Sequence, residues 1–153
     1  IYKKLIPKGV NHFRVGETLF FGNDLITNKP MNGMKTDVFK LFAEIIELTE
    51  KPMVPYGEVG TNVAGDSPEF SEKDYGKTSF RAILDIGLLD IDTKNIKPIK
   101  KNFTFSGASS DMIVLDIGKN SGKLNVGDFV EFRPDYMGAL RILNSSYIEK
   151  RIV

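Results

Sequence analysis

The sequence predicts a mainly β domain, a barrel or a sandwich, on three observations. Its apolar segments are short, they are rich in Val, Ile, Leu and Phe, and Gly or Pro turns separate them. Glycine occurs 14 times and proline 7 times in 153 residues, enough to punctuate a chain of short strands in one ordinary domain. There is no internal repeat and no low-complexity tract.

The elements follow in order. Val10 to Phe21 is strand-like and closes on Gly22-Asn23-Asp24, and Asn28 to Gly33 is a loop by its Pro and Gly content. Val38 to Thr49 admits two readings. Polar residues at Lys40, Glu44, Glu47 and Lys51 have helical spacing, whereas Phe39, Leu41, Ala43 and Ile45 alternate as a strand would; periodicity alone favours the helix. Lys51 to Lys77, rich in Pro and Gly, reads as a long loop of the kind that is more often functional or interfacial than filler. Phe80 to Ile86, ending at Gly87, and Met112 to Ile117 read as buried strands. Between them, Lys97-Pro98-Ile99-Lys100-Lys101 reads as solvated turns. Lys123 to Arg133 places the turn Val126-Gly127-Asp128 before the alternating Phe129-Val130-Glu131-Phe132. Met137 to Lys150 is a last element, with Leu140, Ile142, Leu143 and Ile148 as candidate core.

Composition removes several function classes. The 21 basic and 20 acidic residues are mixed along the chain, so no basic patch marks a nucleic-acid or anionic-membrane surface. No run approaches the ~18 apolar residues of a membrane span. Without cysteine there are no disulfides or thiolate metal sites. The single histidine, His12, argues against zinc catalysis and a Ser-His-Asp triad, and no metal is expected. The chain opens on Ile1, read as a truncation point with the native N-terminus unseen, and its start lacks the longer apolar run of a signal peptide; a cytoplasmic protein is expected.

Ordered motifs then carry a resemblance. Asn11-His12-Phe13-Arg14-Val15-Gly16-Glu17-Thr18-Leu19-Phe20-Phe21-Gly22 resembles the closing barrel strand of the alanine racemase family, where an Arg-x-Gly pair precedes an apolar stretch ending in Tyr-Gly or Phe-Gly. Val54-Pro55-Tyr56-Gly57-Glu58 resembles that family's Val-Ser-Tyr-Gly turn. Ala82 to Asp90 resembles the strand leading into its Gly-Tyr-Ala-Asp segment, Gly107-Ala108-Ser109-Ser110-Asp111 its Gly-x-x-x-Met-Asp segment, and Val126-Gly127-Asp128 its Val-Gly-Asp turn. The ornithine racemase-like branch fits better, at Ala43-Glu44-Ile45-Ile46-Glu47, at Lys51-Pro52, at Gly107 to Asp111 and at Arg141 to Tyr147. Each motif alone is a common turn, and their shared order is what carries the signal.

The resemblance implies a C-terminal β-barrel or sandwich domain, residues 25–153, preceded by residues 1–24 as the last strand and linker of an absent (β/α)8 barrel. It makes Val38 to Thr49 a strand, against the helical spacing. It implies a bacterial-type, pyridoxal-phosphate-dependent isomerase that interconverts L- and D-amino acids. This domain would complete the active site of a partner subunit in a head-to-tail homodimer.

By the same resemblance Arg14 meets the cofactor's pyridine nitrogen. A guanidinium only donates hydrogen bonds, so it would keep that nitrogen unprotonated and discourage side reactions such as transamination. The amides of Gly16 and Glu17 would meet the phosphate, with Gly16 permitting close approach, and Tyr147 would offer it a phenol. Ser110 and Asp111 would edge the substrate pocket, Ser110 through its amide and Asp111 by orienting the substrate or meeting a cationic side chain.

Plainer readings stand beside these: a surface arginine, a strand-end glycine, a half-buried core tyrosine and a turn whose Ser and Asp cap free amides. One departure matters. Gly87 is followed by Leu88, Leu89 and Asp90 where alanine racemases place a catalytic tyrosine, and leucine cannot move a proton. Asp111 and then Asp90 are the candidate second bases, and no lysine here resembles the one that binds the cofactor. The competing reading is a non-catalytic β-barrel interaction or binding module.

Overall fold

The computed structural model describes residues 6–57, 59–61, 65 and 70–153. Glu58 of the Tyr56-Gly57 motif, the first five residues and part of the Lys51 to Lys77 loop lie outside them. The chain divides into two compact units, Ile1–Val38 and Phe39–Val153.

In the first unit, residues 10–16 have no regular structure and Glu17–Phe21 is a helix, α1, in place of the strand expected over Val10 to Phe21. A strand needs a neighbour to pair its backbone, and its propensity is set by that context. Here local bonds satisfy the chain instead: the Leu19 amide donates to the Gly16 carbonyl at 2.9 Å and the Gly22 amide to the Thr18 carbonyl at 3.0 Å. Gly22 stops the helix in the left-handed conformation, φ 66°. It also lies so close to the Lys35 carbonyl that a Cβ there would sit 2.3 Å from its oxygen.

The second unit is built on six strands: β1 (Leu41–Pro52), β2 (Thr78–Leu84), β3 (Ile96–Pro98), β4 (Thr104–Ala108), β5 (Ile113–Gly118) and β6 (Phe129–Pro134). They form one sheet in the order β3-β6-β1-β2-β5-β4, with every pairing antiparallel. Strand β1 joins the two halves, pairing β6 over Leu41–Glu44 and β2 over Ile45–Pro52. An extra residue interrupts the ladders at Ile46 in β1, at Ile117 in β5 and at Ser106 in β4. Such bulges bend a strand and increase its twist, and the sheet rolls into a nearly closed barrel. Phe105 on the edge strand β4 stacks on Phe132 of β6, ring centroids 6.2 Å apart, so the far ends of the sheet face each other across one core.

The bulge at Ile46 also explains the helical spacing of this stretch. Leu41, Ala43 and Ile45 point inward by ordinary alternation, but the inserted residue shifts the phase, and the next inward apolar residue is Leu48. Positions 41, 45 and 48 therefore imitate one face of a helix within a strand. The strand implied by the resemblance is the one observed.

Lys97 to Lys101 departs from its reading as solvated turns. Ile96–Pro98 is an edge strand paired to β6, with Ile96 buried in the core. An edge position accommodates Pro98, which has no amide to donate. Strand β4 likewise was not anticipated. The last element is a helix, α2 (Tyr136–Asn144), whose N-cap Asp135 accepts from the Gly138 amide at 2.8 Å and from Asn95 Nδ2 at 2.9 Å.

Two of its four core candidates are corrected. Leu140 and Leu143 are 43% and 52% exposed, while Ile142 and Ile148 pack against the core. The buried face of α2 is instead Gly138 and Ala139, small enough that the helix closes onto the Asn95 carbonyl. Among the described residues no helix is long and apolar enough to cross a membrane.

Candidate active site loops

Two loops meet at one end of the barrel. The first leaves β2 and turns over Gly87 to Ile91, closed by the amides of Asp90 and Ile91, which both donate to the Gly87 carbonyl at 3.0 Å. Ile86 and Ile91, on either side, are buried and anchor it to the core. The second is the hairpin turn between β4 and β5, where the Ser109 amide donates to the Met112 carbonyl at 2.8 Å and the Met112 amide to Ser109 Oγ at 3.2 Å. Ser110 and Asp111 occupy its exposed tip.

The loops are locked together through their backbones. The Leu88 amide donates to the Ser109 carbonyl at 2.9 Å and the Leu89 amide to the Ser110 carbonyl at 3.0 Å. Gly87 packs directly on the Ser110–Asp111 peptide, where a Cβ would lie 2.1 Å from the Ser110 oxygen and 2.4 Å from the Asp111 nitrogen. No side chain fits there, so glycine is required by contact rather than by conformation.

With both carbonyls engaged from behind, no acceptor is found among the described residues for the amides of Ser110 and Asp111. Ser110 Oγ donates to Asp111 Oδ2 at 2.7 Å. The tip thus carries two amides without a partner among the described residues, beside a carboxylate.

A third segment joins them from the end of α2. Ser145 Oγ donates to Asp90 Oδ1 at 2.8 Å and accepts from the Tyr147 amide at 3.2 Å, and Lys150 Nζ donates to the Ser145 carbonyl. Tyr147 is 92% exposed, which removes the half-buried core reading and leaves its phenol in the open. The fold therefore brings together Asp90, Ser110 and Asp111, with Tyr147 two residues beyond the bond to Asp90.

Arg14, Gly16 and Glu17 belong to the first unit. Arg14 is exposed, with no hydrogen-bond or ion-pair partner among the described residues. Gly16 is the N-cap of α1, with open space where a Cβ would be, and Glu17 opens the helix. The first amides of any helix have no partner within it.

Two features escape a reading of the sequence. The Gly87 contact and the Ser145–Asp90 bond join residues far apart in the chain, and a serine closing a helix is only a weak signal. Away from these loops, Arg81 of β2 and Asp116 of β5 form a mostly buried ion pair, their side chains 14% and 16% exposed, with Ser79 Oγ donating to the same carboxylate. Burial by itself would raise the pKa of Asp116. Donation from Ser79, the Gly118 amide and Arg81 outweighs it and holds the group below the ordinary aspartate value. Charges in apolar strands hint at such a pair, but only the register places Arg81 opposite Asp116.

No family model and no solved structure matches the chain. It is 37% identical over all 153 residues to an ornithine racemase of Acetoanaerobium sticklandii, and spans 42% of that protein. It is also 37% identical over 145 residues, 95% of its length, to a lysine racemase of Thermotoga maritima, of which it spans 40%. The chain thus covers about two-fifths of these curated relatives. Its similarity to these two racemases fits a C-terminal fragment of an alanine racemase-like family protein.

Proposed function

We propose that this chain is the C-terminal β-domain of a pyridoxal-phosphate-dependent amino acid racemase, and that it completes the active site of a partner subunit in a head-to-tail homodimer. The observation that carries the reading is the Ser110–Asp111 tip, exposed and braced from behind, in a chain that matches an ornithine racemase over its whole length and a lysine racemase over 95% of it. Two amides without a partner among the described residues suit the carboxylate that every amino acid carries. The substrate class proposed is an amino acid with a second amine on its side chain, after the names of both relatives.

The first unit is compatible with the cofactor. Arg14 is exposed and Gly16 leaves open space beside the first amides of α1. In this reading Arg14 would donate to the ring nitrogen and keep a proton off it, while Gly16 and Glu17 would donate amides to the phosphate. When bound, pyridoxal phosphate supplies the electron sink that acidifies the substrate's α-hydrogen. Ser110 orients the substrate carboxylate, and Asp111 beside it is the group on this chain that moves the proton. By itself the 153-residue chain is inactive in this proposal, because the cofactor's lysine belongs to the rest of a cytoplasmic protein.

The test is the full-length protein, purified with pyridoxal phosphate and offered ornithine, lysine and alanine, with loss of optical rotation as readout. Turnover of a diamino acid supports the proposal. Absence of cofactor absorbance and of turnover on every amino acid would leave the non-catalytic β-barrel module. Solvent-deuterium exchange in both substrate directions on Asp111→Asn tests the proton-transfer role, and full retention of both rates removes Asp111 from it.

A further inference from the structure

We infer that Asp90 is a positioning residue: its bond to Ser145 latches the Gly87 to Ile91 loop and, through that loop, fixes where Ser110 and Asp111 stand. The inference rests on the racemase reading for its kinetic consequence and on geometry alone for its structural one. Asp90 Oδ1 accepts from Ser145 Oγ at 2.8 Å in a half-buried setting, joining residues 55 apart in sequence. Ser145 closes α2, and its own amide is held by the Arg141 carbonyl at 3.0 Å. One end of the latch is thus fixed to a helix that Asp135 caps against Asn95.

The other end is a loop with little freedom to absorb a displacement. Asp90 donates its amide to the Gly87 carbonyl, and Gly87 bears on the Ser110–Asp111 peptide without room for one methyl group. Leu88 and Leu89 carry two further bonds to Ser109 and Ser110. Release of Asp90 lets the loop shift, and the Ser110–Asp111 tip must shift with it. Displacement of Ser110 in this way weakens substrate binding, and displacement of Asp111 slows proton transfer.

A latch and a base make opposite demands on Asp90. The latch needs only an acceptor oxygen toward Ser145, which asparagine supplies; a base needs a carboxylate. In the full-length protein, Asp90→Ala and Ser145→Ala should each lower kcat/KM for the amino acid about fivefold, the worth of one lost hydrogen bond. Asp90→Asn and Ser145→Thr should keep the wild-type kcat/KM.

Hydrogen exchange supplies a readout independent of activity. The hydrogen-bonded amides of Leu88 to Ile91, Ser109 and Met112 should exchange faster in both alanine variants and at wild-type rates in Asp90→Asn. Ser145→Ala lies outside the core and carries the test should Asp90→Ala fail to fold. An Asp90→Asn enzyme as impaired as Asp90→Ala, or a Ser145→Ala protein matching wild type in exchange, overturns the latch. Normal exchange effects in a protein that racemises nothing would instead sink the racemase reading and leave the latch standing.

Discussion

Asp116→Asn should destabilise the β-domain by about 2–3 kcal/mol at neutral pH, and the penalty should shrink as the solution is acidified. The carboxylate accepts from Ser79 Oγ, from the Gly118 amide at 2.8 Å and from Arg81. Asparagine keeps one oxygen for the first two but turns an NH2 group or a neutral oxygen toward a guanidinium that is only 14% exposed. A hydrogen bond to a charged group contributes about 1.5–3 kcal/mol, and residual solvent access at the rim of this pair keeps the loss below that of a fully buried one.

The pH dependence has a definite sign. Burial opposes ionisation of Asp116, but its three donors prevail, so its pKa is lower folded than unfolded. Its stabilisation is complete above the unfolded value of ~3.9 and is lost as pH falls through the folded value below it. Urea denaturation of the 153-residue chain at intervals between pH 7 and pH 2.5 reads both terms. The wild type should lose its advantage over Asp116→Asn only below pH 4. A gap that stays constant across the range, or one under ~0.5 kcal/mol at pH 7, would refute the reasoning.

Three further outcomes are expected. Gly87→Ala must force the Ser110–Asp111 peptide back by more than an ångström to relieve a 2.1 Å approach, costing about 1–3 kcal/mol in chemical denaturation; a neutral result would mean that the loops do not touch in solution. Phe132→Ala removes a fully buried ring stacked on Phe105 and should cost about 3–5 kcal/mol, whereas a loss under ~1 kcal/mol would mean that the sheet's ends do not share one core. Leu88→Tyr in the full-length protein should not create alanine racemase activity, because apolar surroundings push a phenol's pKa up rather than toward that of a base. Appearance of such activity in a racemisation assay would show that the loop is already organised for a tyrosine.

The sequence by itself determines the β class and three of its strands. In Phe80 to Ile86, Met112 to Ile117 and Phe129 to Phe132, short β-branched or aromatic runs lie between turn residues, and β2, β5 and β6 lie there. The family resemblance, carried by local motifs, points to Ser110, Asp111 and Asp90 as site candidates. The rest depends on what each segment meets. Ile96–Pro98 is a strand because an edge of β6 is open to it, and Glu17–Phe21 is a helix closed by the Gly22 amide on the Thr18 carbonyl. The 41–48 stretch reads as a helix until the bulge at Ile46 supplies the phase shift. Alternation and turn chemistry act over a few residues and can be read along a chain. The bonds Glu44 to Asp85 and Ser145 to Asp90, 41 and 55 residues apart, exist only once the sheet has closed and brought their partners within reach.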